Sequence, residues 1–378
     1  MNRSDNINKA STSLFILLFI AGLLVGGLLS IYITFQEITE LNDKVDFLEE
    51  RIVNQNGVQN VTYQDITIYQ NSSALVELYQ NVKESIVLVQ GITNEGGVQG
   101  SGFVYTYLNR EVVITNYHVV HDTSSLSVTF SNGNGYEATI LGIDPYVDLA
   151  VLSVDALSVE FKPIEIVSSS SLRVGEMAIA IGNPYGLVGS LTTGVVSALG
   201  RTLTEVYAGG YSIPNIIQTS TPINPGNSGG PLLNAVGKVI GITTAIAEES
   251  QGLGFAIPSN TMLREIPDLI NTGTYGGHSY LGVSGQDMNY NRAKEIGSSI
   301  TFGWRIETVT AGGPSDGILK IKDIITELNG TKIRNNDELA SYLSDKTLPE
   351  EPLFLTVLRD NSTIELIVIL GTRPAPPI

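Results

Sequence analysis

From residue 75 to residue 265 the chain is cut into short apolar runs, each closed by Gly, Asn or Pro. Residues 85–89, 112–115, 126–130, 149–154, 177–181, 216–218 and 238–243 are such runs, and several alternate with a period of two. Alternation places one set of side chains on one face of a strand, whereas a helix needs a period near 3.6. Many short strands without long helices between them predict a mainly β body, either a sandwich or a pair of barrels. The 39 glycines among 378 residues fit a chain with many tight turns. Apolar residues make up 42% of the sequence, enough to bury real cores, so a wholly disordered chain is excluded.

Composition also narrows the chemistry. There are 38 acidic and 21 basic residues, a formal charge of −17, which argues against nucleic acid as a partner. Cysteine is absent, so no disulfide, thiolate metal site or cysteine nucleophile is available. The three histidines, His118, His121 and His278, are too few for a histidine-rich zinc site. No metal or organic cofactor is expected.

The most informative motif is Gly226-Asn227-Ser228-Gly229-Gly230-Pro231. A serine between glycines on a tight turn presents its hydroxyl outward. The same turn can aim the backbone N–H groups of Gly226, Asn227 and Ser228 at one point, an oxyanion hole. Serine needs a base to act as a nucleophile. His118 is the candidate, where the apolar run 112–116 ends and the chain enters a turn. His121 reads as a surface or core histidine. A carboxylate must orient the imidazole. Asp148, at the mouth of the run 149–152, is favoured over Asp144 four residues earlier. The order His118, Asp148, Ser228 fits the chymotrypsin class, with His and Asp from a first barrel and Ser from a second.

These residues carry a resemblance. Gly100-Ser101-Gly102-Phe103, Thr115-Asn116-Tyr117-His118-Val119-Val120, Asp148-Leu149-Ala150, Ile181-Gly182-Asn183-Pro184, Asn224 through Leu233, and Gly254-Phe255-Ala256-Ile257-Pro258 resemble the HtrA (Deg) family of serine proteases. The resemblance runs over nearly all of 75–370. It implies a trypsin-like double β-barrel over 75–270, peptide-bond hydrolysis and a homotrimer. One departure is Ser220-Thr221-Pro222, where the family usually carries Asp at position 220. That puts the contacts of the loop before the oxyanion turn in question.

Residues 276–372 resemble a PDZ domain, an α+β fold. Tyr280-Leu281-Gly282-Val283 matches its carboxylate-binding loop, a backbone nest for an anion beside a strand edge that can accept an added strand. Asn335 with Glu338 reads as an N-cap and its return partner, opening a helix over 336–343. Leu339 and Leu343 share one face of that helix, and at least one is expected to line the ligand groove. The implied partners are peptide C-termini.

The N-terminal part reads differently. Residues 14–33 hold no charge over 20 residues, the length of a helix crossing a bilayer core. An uncleaved anchor is expected over 13–34, behind a cytoplasmic tail at 1–12 that carries Arg3 and Lys9. Such a chain sits in the cell membrane as a single-pass protein with its folded domains extracytoplasmic. Residues 35–74 read as a stalk and linker. Ile38, Leu41, Val45, Leu48 and Ile52 form a short heptad seam or a plain amphipathic helix. Asn60-Val61-Thr62 and Asn71-Ser72-Ser73 are glycosylation sequons.

The sequence therefore reads as a membrane-anchored, ATP-independent serine endopeptidase of protein quality control. It would take unfolded or misfolded extracytoplasmic proteins under PDZ control. Two alternatives stand beside it: a peptide-sensing holdase whose protease site is seldom assembled, and a site-specific regulatory protease acting on one membrane partner.

Overall fold

The computed structural model describes residue 36 and residues 72–375, except 184–189, 205–211, 225 and 245–252. The apolar run 14–33, the heptad seam and the sequons' first residues lie outside the described residues. Among those described, no helix is long and apolar enough to cross a membrane.

A helix, α1 (Ser72–Val82), leads into six strands. These are β1 (Ile86–Thr93), β2 (Gly96–Tyr107), β3 (Arg110–Thr115), β4 (Ser125–Thr129), β5 (Gly135–Asp144) and β6 (Leu149–Val154), with one helical turn, α2 (Tyr117–Val120), after β3. They close into a barrel in the order β1-β2-β3-β6-β5-β4. Six more follow: β7 (Met177–Gly182), β8 (Ser190–Thr204), β9 (Ser212–Thr219), β10 (Pro231–Leu233), β11 (Val239–Thr244) and β12 (Gly254–Pro258). They close a second barrel, β10-β11-β12-β9-β8-β7. The mainly β double barrel expected from the sequence is what forms.

Each barrel packs its own interior. Val87, Val104, Val113 and Leu152 fill the first, and Ala178, Ile217, Leu232 and Ile240 fill the second. A third apolar cluster lies between the barrels and includes Phe103, Ile114, Leu149, Ile179, Leu233 and Ile242, all essentially unexposed. Burying one such side chain contributes about 1.5–3 kcal/mol, so this shared layer fixes one barrel against the other.

The expectation of strands alone up to residue 265 is not met. Residues Ser259–Asn271 form a helix, α3, immediately after β12. Met262, Ile266 and Leu269, spaced four and three, point one stripe into the inter-barrel cluster. The short apolar run before it masked this change of period.

The remaining chain forms a separate sheet and two helices. Its elements are β13 (Ser279–Tyr280), β14 (Val283–Asp287), α4 (Tyr290–Ile296), β15 (Trp304–Val309), β16 (Ile324–Leu328), β17 (Thr331–Lys332), α5 (Asn336–Lys346), β18 (Pro352–Arg359), β19 (Ser362–Ile369) and β20 (Gly371–Thr372). The main sheet runs β14-β15-β16-β18-β19, with β17 on β16, and β13 pairs β20. Leu281, Ile306, Leu328, Leu339, Leu355 and Val368 share its core. The Asn335 carboxamide accepts the Glu338 N–H at 2.9 Å, as an N-cap should. Glu338 does not return to Asn335. Its carboxylate accepts the Arg334 N–H at 2.8 Å and pairs with the Arg334 guanidinium.

Candidate active site

The site begins where two strands of the first barrel end. β3 stops at Thr115, and α2 then turns the chain so that His118 sits one residue inside it. β6 starts at Leu149, one residue after Asp148, which adopts φ +55°. That left-handed conformation is unfavourable for most side chains and tolerated by Asp. The Asn116 carboxamide holds the Asp148 carbonyl at 2.9 Å. The paired strands β3 and β6 (Thr115 opposite Ala150) thus bring the two loops side by side.

Asp148 is fully buried, and its carboxylate receives three donors. One oxygen accepts the His118 backbone N–H at 2.9 Å. The other faces His118 Nδ1 at 2.8 Å and accepts the Thr244 hydroxyl at 2.9 Å. A carboxylate can only accept, so Nδ1 carries a proton, and in the neutral ring Nε2 then holds the lone pair. That is the tautomer of a general base. Asp144, the alternative carboxylate, faces His278 Nε2 at 2.5 Å instead. His121 is half exposed, with Nδ1 against the Tyr117 hydroxyl at 2.7 Å and Nε2 near Asp122.

Ser228 comes from the second barrel, on the turn that enters β10. It is 5% exposed. Its carbonyl accepts the Ser101 N–H of β2 at 2.7 Å, which pins the turn to the first barrel. Gly229 follows with φ +82°, and a Cβ there would overlap the Ser101 carbonyl and Thr115 Oγ1. Only glycine lets the turn lie this close to the strand that leads to His118. From the other side, the Thr243 hydroxyl donates to the Asn227 carbonyl at 2.6 Å. β11 therefore serves both parts of the site: Thr243 holds the serine turn and Thr244 holds Asp148.

The expected oxyanion donors need one correction. The Asn227 N–H donates to the Asn224 carbonyl at 2.9 Å, so it closes the turn. Gly226 has φ +97°, which its missing side chain permits. At the family departure, Ser220 exchanges hydrogen bonds with Val195. Its N–H donates to the Val195 carbonyl and its Oγ accepts the Val195 N–H, both at 3.0 Å. A short hydroxyl thus anchors this loop to β8 without a carboxylate. Sequence reasoning missed Thr243, Thr244 and the bonding of Ser101. Their signal was a pair of hydroxyls in an otherwise apolar strand, and a buried serine between two glycines.

A second site lies in the C-terminal sheet domain. Leu281 is buried in its core, and Gly282 turns at φ +76° between β13 and β14. A cavity of about 190 Å³ opens beside Tyr280, Gly282 and Val283, with both Leu339 and Leu343 of α5 in its wall. The barrel side contributes Ser212 and Pro214 to the same cavity. Helix α5 also bonds the barrel directly. Asp337 accepts the Thr202 N–H at 2.8 Å, and Asp345 accepts the Asn215 carboxamide at 2.6 Å.

Among the described residues, one group brings potential metal ligands together: Asp144, Glu265 and His278, within 4.8 Å of one another. His278 pairs with Asp144, and the Arg264 guanidinium pairs with Glu265 at 2.7 Å. His278 and Arg264 each face one of the two carboxylates, so the cluster joins barrel, α3 and the following domain. Burial holds the Glu265 carboxyl well above the usual carboxylate range, helped by Asp144 and opposed by Arg264.

Comparison with known proteins agrees with this geometry. Residues 100–242 match the trypsin-like peptidase domain and residues 279–370 match the PDZ domain. A probable periplasmic serine endoprotease DegP-like of Chlamydia pneumoniae is 38% identical over 283 residues, 73% of this chain and 56% of that protein. The chain thus spans about half the length of that relative. The HtrA-type protease AlgW with tripeptide superposes at a TM-score of 0.66 with 28% identity, covering 80% of this chain and 98% of that one. The serine endoprotease of Yersinia pestis superposes at 0.59 with 27% identity, covering 79% and 98%. Protease Do-like 1, chloroplastic, of Arabidopsis thaliana is 34% identical over 326 residues, 80% of this chain and 72% of that protein, and on that breadth of match the chain belongs to the HtrA (Deg) family of serine proteases.

Proposed function

We propose that this chain is a serine endopeptidase in which Ser228, His118 and Asp148 form the catalytic triad. The observation that carries the reading is the buried Asp148 carboxylate, which grips His118 at both its backbone N–H and Nδ1. Ser228 Oγ attacks the substrate carbonyl carbon and passes its proton to His118 Nε2. The Gly226 and Ser228 N–H groups hold the oxyanion. The imidazolium returns the proton to the leaving amine, and the peptide C–N bond breaks. Water, deprotonated by the same imidazole, then attacks the acyl-enzyme carbonyl, the acyl C–Oγ bond breaks, and the imidazolium returns the proton to Ser228 Oγ. Asp148 holds the tautomer and faces the charge that develops on the ring.

The cellular reading is finer. The chain is anchored by the run 14–33 with its N-terminus inside, assembles as a trimer, and degrades damaged proteins outside the cytoplasm. The uncharged 20-residue run and the relatives named as periplasmic endoproteases support this. Peptide C-termini in the Tyr280–Val283 cavity would control the protease through 200–214, since Ser212 and Pro214 border that cavity and Thr202 and Asn215 bond α5.

Casein digestion with and without a serine-acylating inhibitor tests the activity. Cleavage that the inhibitor stops and Ser228→Ala abolishes is expected. Intact casein under both conditions, with a protein that still suppresses aggregation of an unfolded client, would favour the holdase.

A further inference from the structure

We propose that Ser101 is a positioning residue for the oxyanion turn, a reading that rests on Ser228 being the nucleophile. Ser101 lies in β2 of the first barrel and has no exposed surface, yet all its polar groups are engaged across the barrel boundary or at its edge. Its N–H donates to the Ser228 carbonyl at 2.7 Å. Its carbonyl accepts the Thr115 hydroxyl at 2.8 Å. Its own hydroxyl donates to the Gly226 carbonyl at 2.6 Å and accepts the Asn183 N–H at 2.8 Å.

The hydroxyl matters because of which peptide it holds. The plane joining Gly226 to Asn227 is fixed at both ends. The Gly226 carbonyl takes the Ser101 hydroxyl, and the Asn227 N–H goes to the Asn224 carbonyl. The next plane back carries the Gly226 N–H, an oxyanion donor in the proposed mechanism. Glycine offers little resistance to rotation of that plane, since a backbone without a Cβ crosses freely between conformations. An anchored carbonyl on one side of Gly226 is therefore what limits the swing of the N–H on the other. Ser101 supplies that anchor, and through Asn183 ties it to the end of β7.

Removing the hydroxyl takes this donor from the part-buried Gly226 carbonyl and leaves the buried Asn183 N–H without its acceptor, at a turn that can answer by rotating. Loss of one oxyanion donor outright costs about 10²–10³ in kcat. Loss of its anchor should cost less, roughly 10- to 100-fold, because the turn still visits the competent conformation. Ser101 is wholly buried and offers substrate no surface, so KM should stay within about twofold.

The experiment compares wild type, Ser101→Ala and Ser101→Thr in the full chain. Three readouts are kcat and KM on one peptide substrate, the inhibition constant of a peptide aldehyde that forms a tetrahedral adduct, and the melting temperature. Ser101→Ala should lose kcat, keep KM, and lose aldehyde affinity by the same factor. Ser101→Thr restores the hydroxyl and should recover most of both. A merely structural role would lower the melting temperature and leave the aldehyde constant of the folded fraction alone. Full activity in Ser101→Ala, or lost kcat with unchanged aldehyde affinity, overturns the proposal. A wild type that neither cleaves peptide nor binds the aldehyde overturns the nucleophile reading, and this proposal with it.

Discussion

Thr244→Val separates the support of the acid from the acid itself. Valine keeps the shape of threonine and deletes only the hydroxyl that donates to Asp148 at 2.9 Å. Both residues are wholly buried, so water cannot replace the lost donor. A hydrogen bond to a charged group contributes about 1.5–3 kcal/mol. Two donors from His118 remain, so Asp148 keeps its place. If half the loss is felt in the transition state, kcat/KM falls roughly 4- to 13-fold, at 1.36 kcal/mol per factor of ten. The direction of a second effect is also fixed. With one donor fewer, the carboxylate attracts the imidazolium more strongly, so the acid limb of the kcat/KM profile moves to higher pH. Initial rates on a fluorogenic peptide between about pH 5 and 9 measure both. Thr244→Ser should restore wild-type behaviour. A folded Thr244→Val protein with unchanged kcat/KM and an unmoved acid limb would refute the reasoning.

Gly229→Ala should abolish activity and lower the melting temperature, because its Cβ collides with the Ser101 carbonyl and Thr115; thermal scans beside casein assays check this. Glu265→Gln tests the buried cluster. The raised Glu265 pKa favours the folded state below the unfolded value of about 4.3, and that contribution is lost as pH rises through the folded pKa. Urea denaturation should show the variant gaining on wild type as pH rises above about 4.3, and parallel curves would sink the idea. A peptide with an apolar free C-terminus should speed cleavage of an untagged substrate, while its amidated twin should not; equal effects would point to simple tethering. Pro222, six residues before Ser228, is uncharged and the adjoining strand β11 holds no acid, so mass spectrometry should find cuts after Val, Ile or Ala rather than Arg or Lys.

The parts legible in the sequence are those set by local pattern. The strand expected over 149–154 is β6 as it stands, since a run buried on both faces and bounded by turns leaves little room for shift. That Asp148 rather than Asp144 faces His118 follows from its place at a strand mouth, which is fixed by that strand's pairing, whereas Asp144 at the end of β5 faces another element. Which element it faces was not readable. His278 lies 134 positions away and reaches Asp144 only because α3 carries the chain back across the first barrel. The same holds for Thr244 and Asp148, 96 residues apart, which meet only when the two barrels close on each other. The turn motif announced its donors as three in a row. That the Asn227 N–H is spent on Asn224 depends on how the loop before it folds, and no spacing rule reports that.

The central claim is that one serine of this chain is activated. Incubating the folded protein with a fluorophosphonate and reading intact mass and peptide maps tests it most directly, because such reagents add only where a hydroxyl has a base and an oxyanion site beside it. One adduct per chain on Ser228, absent from Ser228→Ala and strongly slowed in His118→Ala, is the predicted result. No adduct, an adduct on another serine, or labelling of Ser228 at the same rate without His118 would contradict the account.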